Sequence, residues 1–148
     1  MFSVTKELSF AAAHRLKDYD GPCKNFHGHN YKVLVTVEAE DVDLLGMVVD
    51  FGWLKQEVGG WLDKNWDHKL LLSGEDTEIY NKIGDSTEMW IGFPGNPTAE
   101  NMAGLLFVVV ADAIEEAKEK TIDFSNRKVK VIKVTVYEND RSSASYWE

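Results

Sequence analysis

Two stretches near the start of the chain alternate apolar and polar residues, and this pattern restricts the chain to folds built on a sheet. The first runs from Phe2 to Phe10, and the second runs from His29 to Glu40. Successive side chains of a strand point to opposite faces, so the alternation gives each stretch one apolar face. The second stretch is also rich in β-branched residues, which favour strands. We therefore predict two strands that pair as a long hairpin.

Apolar residues at helical spacing predict two helices after the hairpin. Asp50 is the expected N-cap of the first helix, because its carboxylate can accept from the free amides of the first turn. Asn96 is the expected cap of the second helix, with Pro97 at the first helical position and Glu100 in the first turn. The expected buried residues are Phe51, Leu54, Val58, Trp61 and Leu62 in the first helix, and Met102, Leu105, Leu106, Val109, Ala113 and Ile114 in the second.

The C-terminal part of the chain predicts two further strands. One covers Val129 to Val136, where a slip in apolar parity at residues 131–132 predicts a bulge. Asn139-Asp140 supplies a turn before a short strand from Ala144 to Trp147. The order strand-strand-helix-helix-strand-strand predicts an α+β fold, a four-stranded antiparallel sheet with both helices on one face.

This scheme leaves two features of the chain unexplained, a long segment between the helices and one face of the sheet. Residues 73–95 hold four glycines and one proline beside several aromatic side chains, which predicts a long ordered loop of unassigned structure. The strands carry apolar residues on both parities. The open edges and the sheet face that the helices leave uncovered therefore predict association into an oligomer.

Size and charge narrow the classes of protein to which the chain can belong. Its 148 residues predict a single domain over residues 1–148. A net charge of −9 argues against nucleic-acid binding. The longest apolar stretch, Met102 to Ala111, is too short to span a bilayer, and the N-terminus lacks the regions of a signal peptide. We expect a cytoplasmic protein with no nucleic-acid or membrane partner.

Three of the four histidines lie where the hairpin would bring them together. His27 and His29 are two residues apart on an extended backbone, so both imidazoles point the same way, and Gly28 lets another backbone approach closely. His14 ends the first strand and would lie across from both. Three nitrogen ligands without a fourth protein ligand are typical of catalytic zinc, although spacing alone does not distinguish zinc from nickel or iron. We predict a metal site formed by His14, His27 and His29.

Cys23, the sole cysteine, has three alternative roles, since it cannot form an intrachain disulfide. It could ligate the metal, pack as a small buried residue, or act as a reactive thiol. Its polar, turn-rich surroundings disfavour burial in a core. Beside a divalent cation, a thiolate would be stabilised and could abstract a proton near neutral pH.

Two acidic positions are weaker candidates. Asp67 precedes His68 and could hold its tautomer and raise its pKa, although neighbours in a loop often do neither. Glu138 ends an apolar strand. Its carboxylate could accept two parallel hydrogen bonds from a planar amidine-like ligand, or simply be solvated.

Six short motifs together include all four histidines and the cysteine. They are Phe10-Ala11-Ala12-Ala13-His14, Cys23-x-x-x-His27-Gly28-His29-Asn30-Tyr31, Val49-Asp50-Phe51, Asp67-His68, Pro97-Thr98-Ala99-Glu100-Asn101 and Val136-Tyr137-Glu138. In this order, over nearly the whole chain, they resemble the 6-pyruvoyl-tetrahydropterin synthase and 6-carboxy-tetrahydropterin synthase family. The resemblance implies a tunnelling fold in which two trimers stack into a hexamer with active sites at subunit interfaces.

The resemblance also implies roles for single residues. The matched positions are His14, His27 and His29 for the zinc ligands, Cys23 for the catalytic thiol, Asp67 and His68 for the remaining catalytic pair, Glu138 for the acid that anchors the pterin, and Thr98 and Glu100 for the pterin-pocket segment. The implied cofactor is Zn²⁺.

The substrate that the resemblance implies is 7,8-dihydroneopterin triphosphate, from which triphosphate is expelled. One branch of the family retains the side chain as 6-pyruvoyl-tetrahydropterin. The other cleaves it to 6-carboxy-5,6,7,8-tetrahydropterin and acetaldehyde, on the route to queuosine. The compact Cys-x-x-x-His-Gly-His spacing favours the carboxy-forming branch, with the pyruvoyl-forming branch as the alternative. Residues 73–95 exceed the family's common length, which bears on the rim of the pocket.

Two hypotheses of a different class stay open. The chain could be an unrelated zinc hydrolase in which metal hydroxide is the nucleophile and Cys23 is incidental, or a non-catalytic pterin-binding protein. An acidic protein must also receive a triphosphate. The basic candidates are Arg15, Lys17, Lys24, Arg127 and Lys128, and the sequence assigns none of them to the site.

Overall fold

The predicted hairpin is confirmed and is longer than the sequence pattern suggests. A computed structural model describes the backbone of residues 1–148 and all of their side chains except that of residue 122. Strand β1 (Phe2–His14) pairs antiparallel with β2 (His27–Ala39), from Phe2 opposite Ala39 to His14 opposite His27. The pairing extends the alternation up to the histidines, so the end of the hairpin carries three of them.

The sheet has six strands, so the predicted four-stranded antiparallel sheet is wrong. The additional strands are β3 (Leu70–Ser73) and β4 (Met89–Phe93), and the C-terminal pair is β5 (Lys130–Asn139) and β6 (Ser142–Trp147). Their order in the sheet is β4-β3-β1-β2-β5-β6. Strand β3 runs parallel to β1 and β4 runs parallel to β3, which makes the sheet mixed. All four residues of β3 are buried, so the strand has no alternation that would reveal it.

Residues 73–95 are not an irregular loop. They form the end of β3, a short helix and strand β4. The helices of the chain are α1 (Phe51–Leu54) and α2 (Gly60–Asn65), which the π-helical residues Lys55–Gly59 join into one continuous helix, and then α3 (Thr77–Ile83), α4 (Ala99–Lys120) and α5 (Ile122–Asn126). Two single 3₁₀ turns cover Pro22–Lys24 and Gly84–Ser86. In the described part of the chain, no helix combines the length and apolar character needed to cross a bilayer.

One predicted helix cap is confirmed and one is wrong. Asp50 accepts a hydrogen bond from the Gly52 amide at 2.6 Å. The second helix is capped by Thr98, whose Oγ1 accepts from the Asn101 amide at 3.3 Å, and not by Asn96. Asn96 lies two residues before the cap, and its side chain hydrogen-bonds to the backbone of Lys17. The helix therefore begins at Ala99, two residues later than the position of Pro97 predicts.

The two faces of the sheet differ in character. The long helices cover one face, as predicted, and enclose an apolar core that includes Tyr31, Val33, Leu62 and Leu106. Phe51 is an exception to the predicted stripe, because half of its surface is exposed. Leu105, Val109 and Ala113 are half-buried.

The opposite face carries many polar side chains together with some apolar ones, such as Leu34 and Trp147. Two hydroxyl pairs hydrogen-bond across its strands, Thr5 with Thr36 at 2.9 Å and Thr135 with Ser145 at 2.8 Å. The predicted bulge in β5 is confirmed, since Val37 opposes Val131 and Thr36 opposes Lys133, which leaves Ile132 without an opposite residue.

Candidate active site

The three predicted histidines meet at the end of the hairpin. His14 lies opposite His27, and its neighbour on the same face, Ala12, lies opposite His29. The ring centroids are 4.5 Å apart for His14 and His27, 5.2 Å for His14 and His29, and 5.1 Å for His27 and His29. One nitrogen from each ring lies within 4.8 Å of the others. The rings are therefore spaced so that they could hold one metal ion.

Backbone carbonyls set the tautomers of two of these rings. His14 Nδ1 donates to the Pro97 carbonyl at 2.8 Å, and His27 Nδ1 donates to the Asn25 carbonyl at 2.8 Å. A carbonyl can only accept, so each Nδ1 carries a proton, and in the neutral ring Nε2 then keeps the lone pair. Such outer hydrogen bonds are typical of histidines that bind metals.

Buried ring nitrogens without partners agree with a cation at this position. His14 Nε2 and His29 Nε2 are buried and have no hydrogen-bond partner among the described protein atoms. Burying a polar atom without a partner costs free energy. A divalent cation would satisfy both atoms, so the donor set fits a metal of the kind that imidazole ligands prefer.

Burial also keeps His14 in the form that a metal requires. Burial lowers the pKa of His14 to about 4, with further lowering by His27 and His29, although the hydrogen bond to the Pro97 carbonyl opposes the shift. The imidazole is therefore neutral at pH 7, and its lone pair is available to a cation.

Gly28 allows the hairpin to close around the histidines. A Cβ atom at this position would lie 2.9 Å from the Ala12 carbonyl oxygen and 3.5 Å from Ala13 Cα. A contact that short with backbone would force the strands apart. The glycine between the two histidines is therefore required for the pairing that brings them to His14.

A cavity of about 530 Å³ opens beside the three rings. Its lining includes four more of the predicted site residues, Cys23, Thr98, Glu100 and Glu138. Glu138 Oε1 lies 3.9 Å from His14 Nε2. A thiol, two carboxylates and three imidazoles therefore face one space, which has the size of a small-molecule pocket.

Asp67 and His68 are not brought to this cavity within one chain. His68 lies at a separate groove of about 460 Å³, which residues 11–13 also line, and Asp67 is bonded to His68. The His68 side chain is 83 % exposed. His29 also lines that groove, so both regions adjoin the end of the hairpin.

Hydrogen bonds nevertheless organise the Asp67-His68 pair. Asp67 Oδ1 accepts from the Ala11 amide at 2.8 Å, and Asp67 Oδ2 bonds to His68 Nδ1 at 2.7 Å. Burial opposes ionisation of Asp67, but these hydrogen bonds outweigh it and hold its pKa below the usual value. His68 adopts a left-handed backbone, with φ of 57°, and its amide donates to the Ala11 carbonyl at 2.7 Å. Strain of this kind is concentrated at functional sites.

The sequence marks some groups at the cavity only weakly or not at all. The Pro97 and Asn25 carbonyls hold two histidines, but a pattern of side chains cannot reveal a backbone acceptor. Tyr19 lines the cavity from a polar turn, where an aromatic residue has no periodicity to mark it. An exposed aromatic residue next to the metal-ligand motif is the signal that could have identified it.

The basic candidates are largely occupied by acidic residues. Arg15 Nε lies 2.8 Å from Asp76, and Lys17 Nζ lies 2.6 Å from Asp18. Arg127 and Lys128 lie far from the cavity. Arg127 bonds to Asp123, and Lys128 bonds to Glu40, which follows the end of β2 that is distant from the histidines. Lys24 is exposed beside Cys23.

Comparison with known proteins finds one family and several relatives that match this chain. The family described as 6-pyruvoyl tetrahydropterin synthase matches residues 3–148. A relative from Rickettsia bellii, named 6-carboxy-5,6,7,8-tetrahydropterin synthase, is 42% identical over 104 residues, which cover 70% of this chain and 75% of the relative. A relative of the same name from Aquifex aeolicus is 31% identical and covers 99% of this chain and 98% of its own length. The solved structure of 6-pyruvoyl tetrahydropterin synthase from Caenorhabditis elegans superposes with a TM-score of 0.67 at 28% identity, covering 99% of this chain and 95% of that one.

Proposed function

This chain belongs to the 6-pyruvoyl tetrahydropterin synthase family, whose members are lyases, and we propose that it converts 7,8-dihydroneopterin triphosphate and water to 6-carboxy-5,6,7,8-tetrahydropterin, triphosphate and acetaldehyde. One observation carries the proposal: His14, His27 and His29 face the same cavity as Cys23 and Glu138. The names of the relatives favour the carboxy-forming branch.

We propose that Zn²⁺ is the cofactor and that the three histidines hold it. The unpartnered nitrogens of His14 and His29 support this assignment. Bound zinc would act as a Lewis acid on the side-chain hydroxyls of the substrate and acidify its neighbouring C–H and O–H bonds.

We assign proton transfer and pterin binding to other residues that line the cavity. Cys23, as thiolate, takes a proton from the substrate side chain. Glu138 accepts two parallel hydrogen bonds from the guanidine-like edge of the pterin, and Thr98 and Glu100 line the pterin pocket. These roles follow from family resemblance and agree with a shared cavity.

We propose that a second chain supplies Asp67 and His68 to each cavity. The two residues form a hydrogen-bonded pair with an exposed imidazole, and the pair does not line the cavity of its own chain. An oligomer with active sites between subunits would join the two regions, and the family resemblance implies a hexamer of two trimers. A single domain over residues 1–148 and a cytoplasmic location also stay predictions.

The test is incubation of the zinc-loaded protein with dihydroneopterin triphosphate, followed by mass analysis of the pterin and an assay for acetaldehyde. We expect the 6-carboxy product with equimolar acetaldehyde. The 6-pyruvoyl product without acetaldehyde would assign the chain to the other branch. Binding of the pterin without release of triphosphate would indicate a non-catalytic binding protein.

Replacement of the thiol separates this lyase from a zinc hydrolase. In Cys23→Ala we expect turnover to fall by about 10²- to 10⁴-fold, the usual contribution of a positioned acid or base, while zinc stays bound. Near-normal turnover in Cys23→Ala would support metal hydroxide as the nucleophile and would overturn the assigned role of the thiol.

A further inference from the structure

The Asn96 side chain joins two segments that are 79 residues apart. Its Oδ1 accepts from the Lys17 amide at 2.7 Å, and its Nδ2 donates to the Lys17 carbonyl at 3.0 Å. The amide thus pairs with Lys17 as a neighbouring strand would. A paired donor and acceptor on one planar group fix both the distance and the orientation of the Lys17 backbone.

Asn96 is itself held to the start of α4. Its carbonyl accepts from the Thr98 amide at 2.9 Å and from Asn101 Nδ2 at 2.8 Å. The next residue, Pro97, is buried, and its carbonyl accepts from His14. The position of Asn96 is therefore set by the same turn that carries Thr98 and Glu100 into the cavity.

The Lys17 side of the bridge leads to the thiol. The Leu16 amide, one residue before Lys17, donates to the Cys23 carbonyl at 2.8 Å. This bond closes the loop between residues 16 and 23. Two sets of hydrogen bonds, joined by the Leu16-Lys17 backbone, thus connect the first turn of α4 through Asn96 to the backbone of Cys23.

We propose that Asn96 is a positioning residue that sets the place of the Cys23 thiol relative to Thr98 and Glu100. The proposal rests on the proposed function, in which the thiol and these two residues act on one substrate. A misplacement of about 1 Å can cost on the order of 100-fold in rate. Asn96 does not line the cavity among the described residues, so it acts through Cys23 and not on the substrate itself.

The test compares Asn96→Ala with a matched control, Asn65→Ala. Asn65 Nδ2 donates to the Trp61 carbonyl at 2.8 Å within one helix, so its loss also removes a half-buried amide hydrogen bond. For each variant we would measure kcat, KM, bound zinc per chain and the rate at which iodoacetamide alkylates Cys23. Asn96→Asp, which keeps the acceptor for the Lys17 amide and loses the donor, is the milder second variant.

In Asn96→Ala we expect kcat to fall about 10- to 100-fold, with KM changed by less than about threefold, zinc retained and Cys23 alkylation altered by at least about threefold. Asn96→Asp should change kcat and alkylation in the same direction. Asn65→Ala should leave all four values within about twofold.

Three outcomes would overturn the proposal. They are wild-type kcat and alkylation in a folded Asn96 variant, loss of zinc in proportion to activity, and equal effects in the Asn65 control. Failure of the proposed function is distinguishable, because wild-type protein would then release no triphosphate. In that case the alkylation rates alone would still test whether Asn96 positions the Cys23 thiol.

Discussion

The two regions that carry candidate catalytic residues differ in how complete they are within one chain. The first region, His14, His27, His29, Cys23 and Glu138, surrounds a cavity and has buried ring nitrogens without partners. The second region, Asp67 and His68, is satisfied by its own hydrogen bonds but presents an imidazole that is 83 % exposed. The first region encloses a space that a ligand could fill, and the imidazole of the second region is exposed away from that space. The difference suggests that each chain carries two halves of different active sites.

Replacement of one histidine in each region should give the largest difference between the two regions, which is a difference in bound zinc. In His27→Ala, only two imidazoles remain, and we expect loss of bound zinc together with at least about a 100-fold fall in turnover, since even outer-shell partners of metal ligands account for 10- to 100-fold. His68→Ala should also reduce turnover but should keep one zinc per chain. Metal analysis of both purified variants checks this prediction. Equal zinc loss in His68→Ala would contradict a metal site confined to the first region.

Mixing two inactive variants tests whether the halves meet between chains. Cys23→Ala and His68→Ala should each be nearly inactive alone. After joint unfolding and refolding at equal amounts, about a quarter of wild-type activity should return, because each site draws its two halves independently from two chains.

The matched control for this experiment mixes two defects in the first region. A mixture of Cys23→Ala and His27→Ala contains no intact first region, so activity should not return in assemblies whose sites form between chains. No recovery in the first mixture would indicate that both regions of a site come from the same chain. Activity in the control mixture would indicate that Cys23 and His27 of one site come from different chains.

The end of the hairpin was predictable from sequence, since strand alternation and a two-residue histidine spacing are local patterns. The position of His14 followed from pairing alone. The parallel strands β3 and β4 were not predictable, because their residues lack alternation. Their pairing is also parallel, with β1 and with each other, and no local turn in the sequence indicates it. The role of Asn96 was misassigned for the same reason. Its capping signal was local, but its hydrogen-bond partner, Lys17, lies 79 residues away.

The smallest expected effect concerns the stability of the second region. Removal of the carboxylate in Asp67→Ala leaves the half-buried Ala11 amide without its acceptor, which should cost about 1 kcal/mol of unfolding free energy near neutral pH. The folded-state pKa of Asp67 lies below the ordinary value of 3.8. The stabilisation by the ionised carboxylate is therefore present above that value and is lost as the pH falls through the folded-state pKa.

Urea unfolding of wild type and Asp67→Ala at about pH 7 and about pH 3 measures this difference, which should shrink at the lower pH. Asp67→Asn is the matched control, because its Oδ1 can still accept from the Ala11 amide but it cannot ionise. Its deficit relative to wild type should be smaller than that of Asp67→Ala at neutral pH and should fall toward zero in acid. A deficit independent of pH in both variants would mean that packing, and not the ionised carboxylate, holds the pair. The second region would then owe its order to the neighbouring strand and not to its own charge.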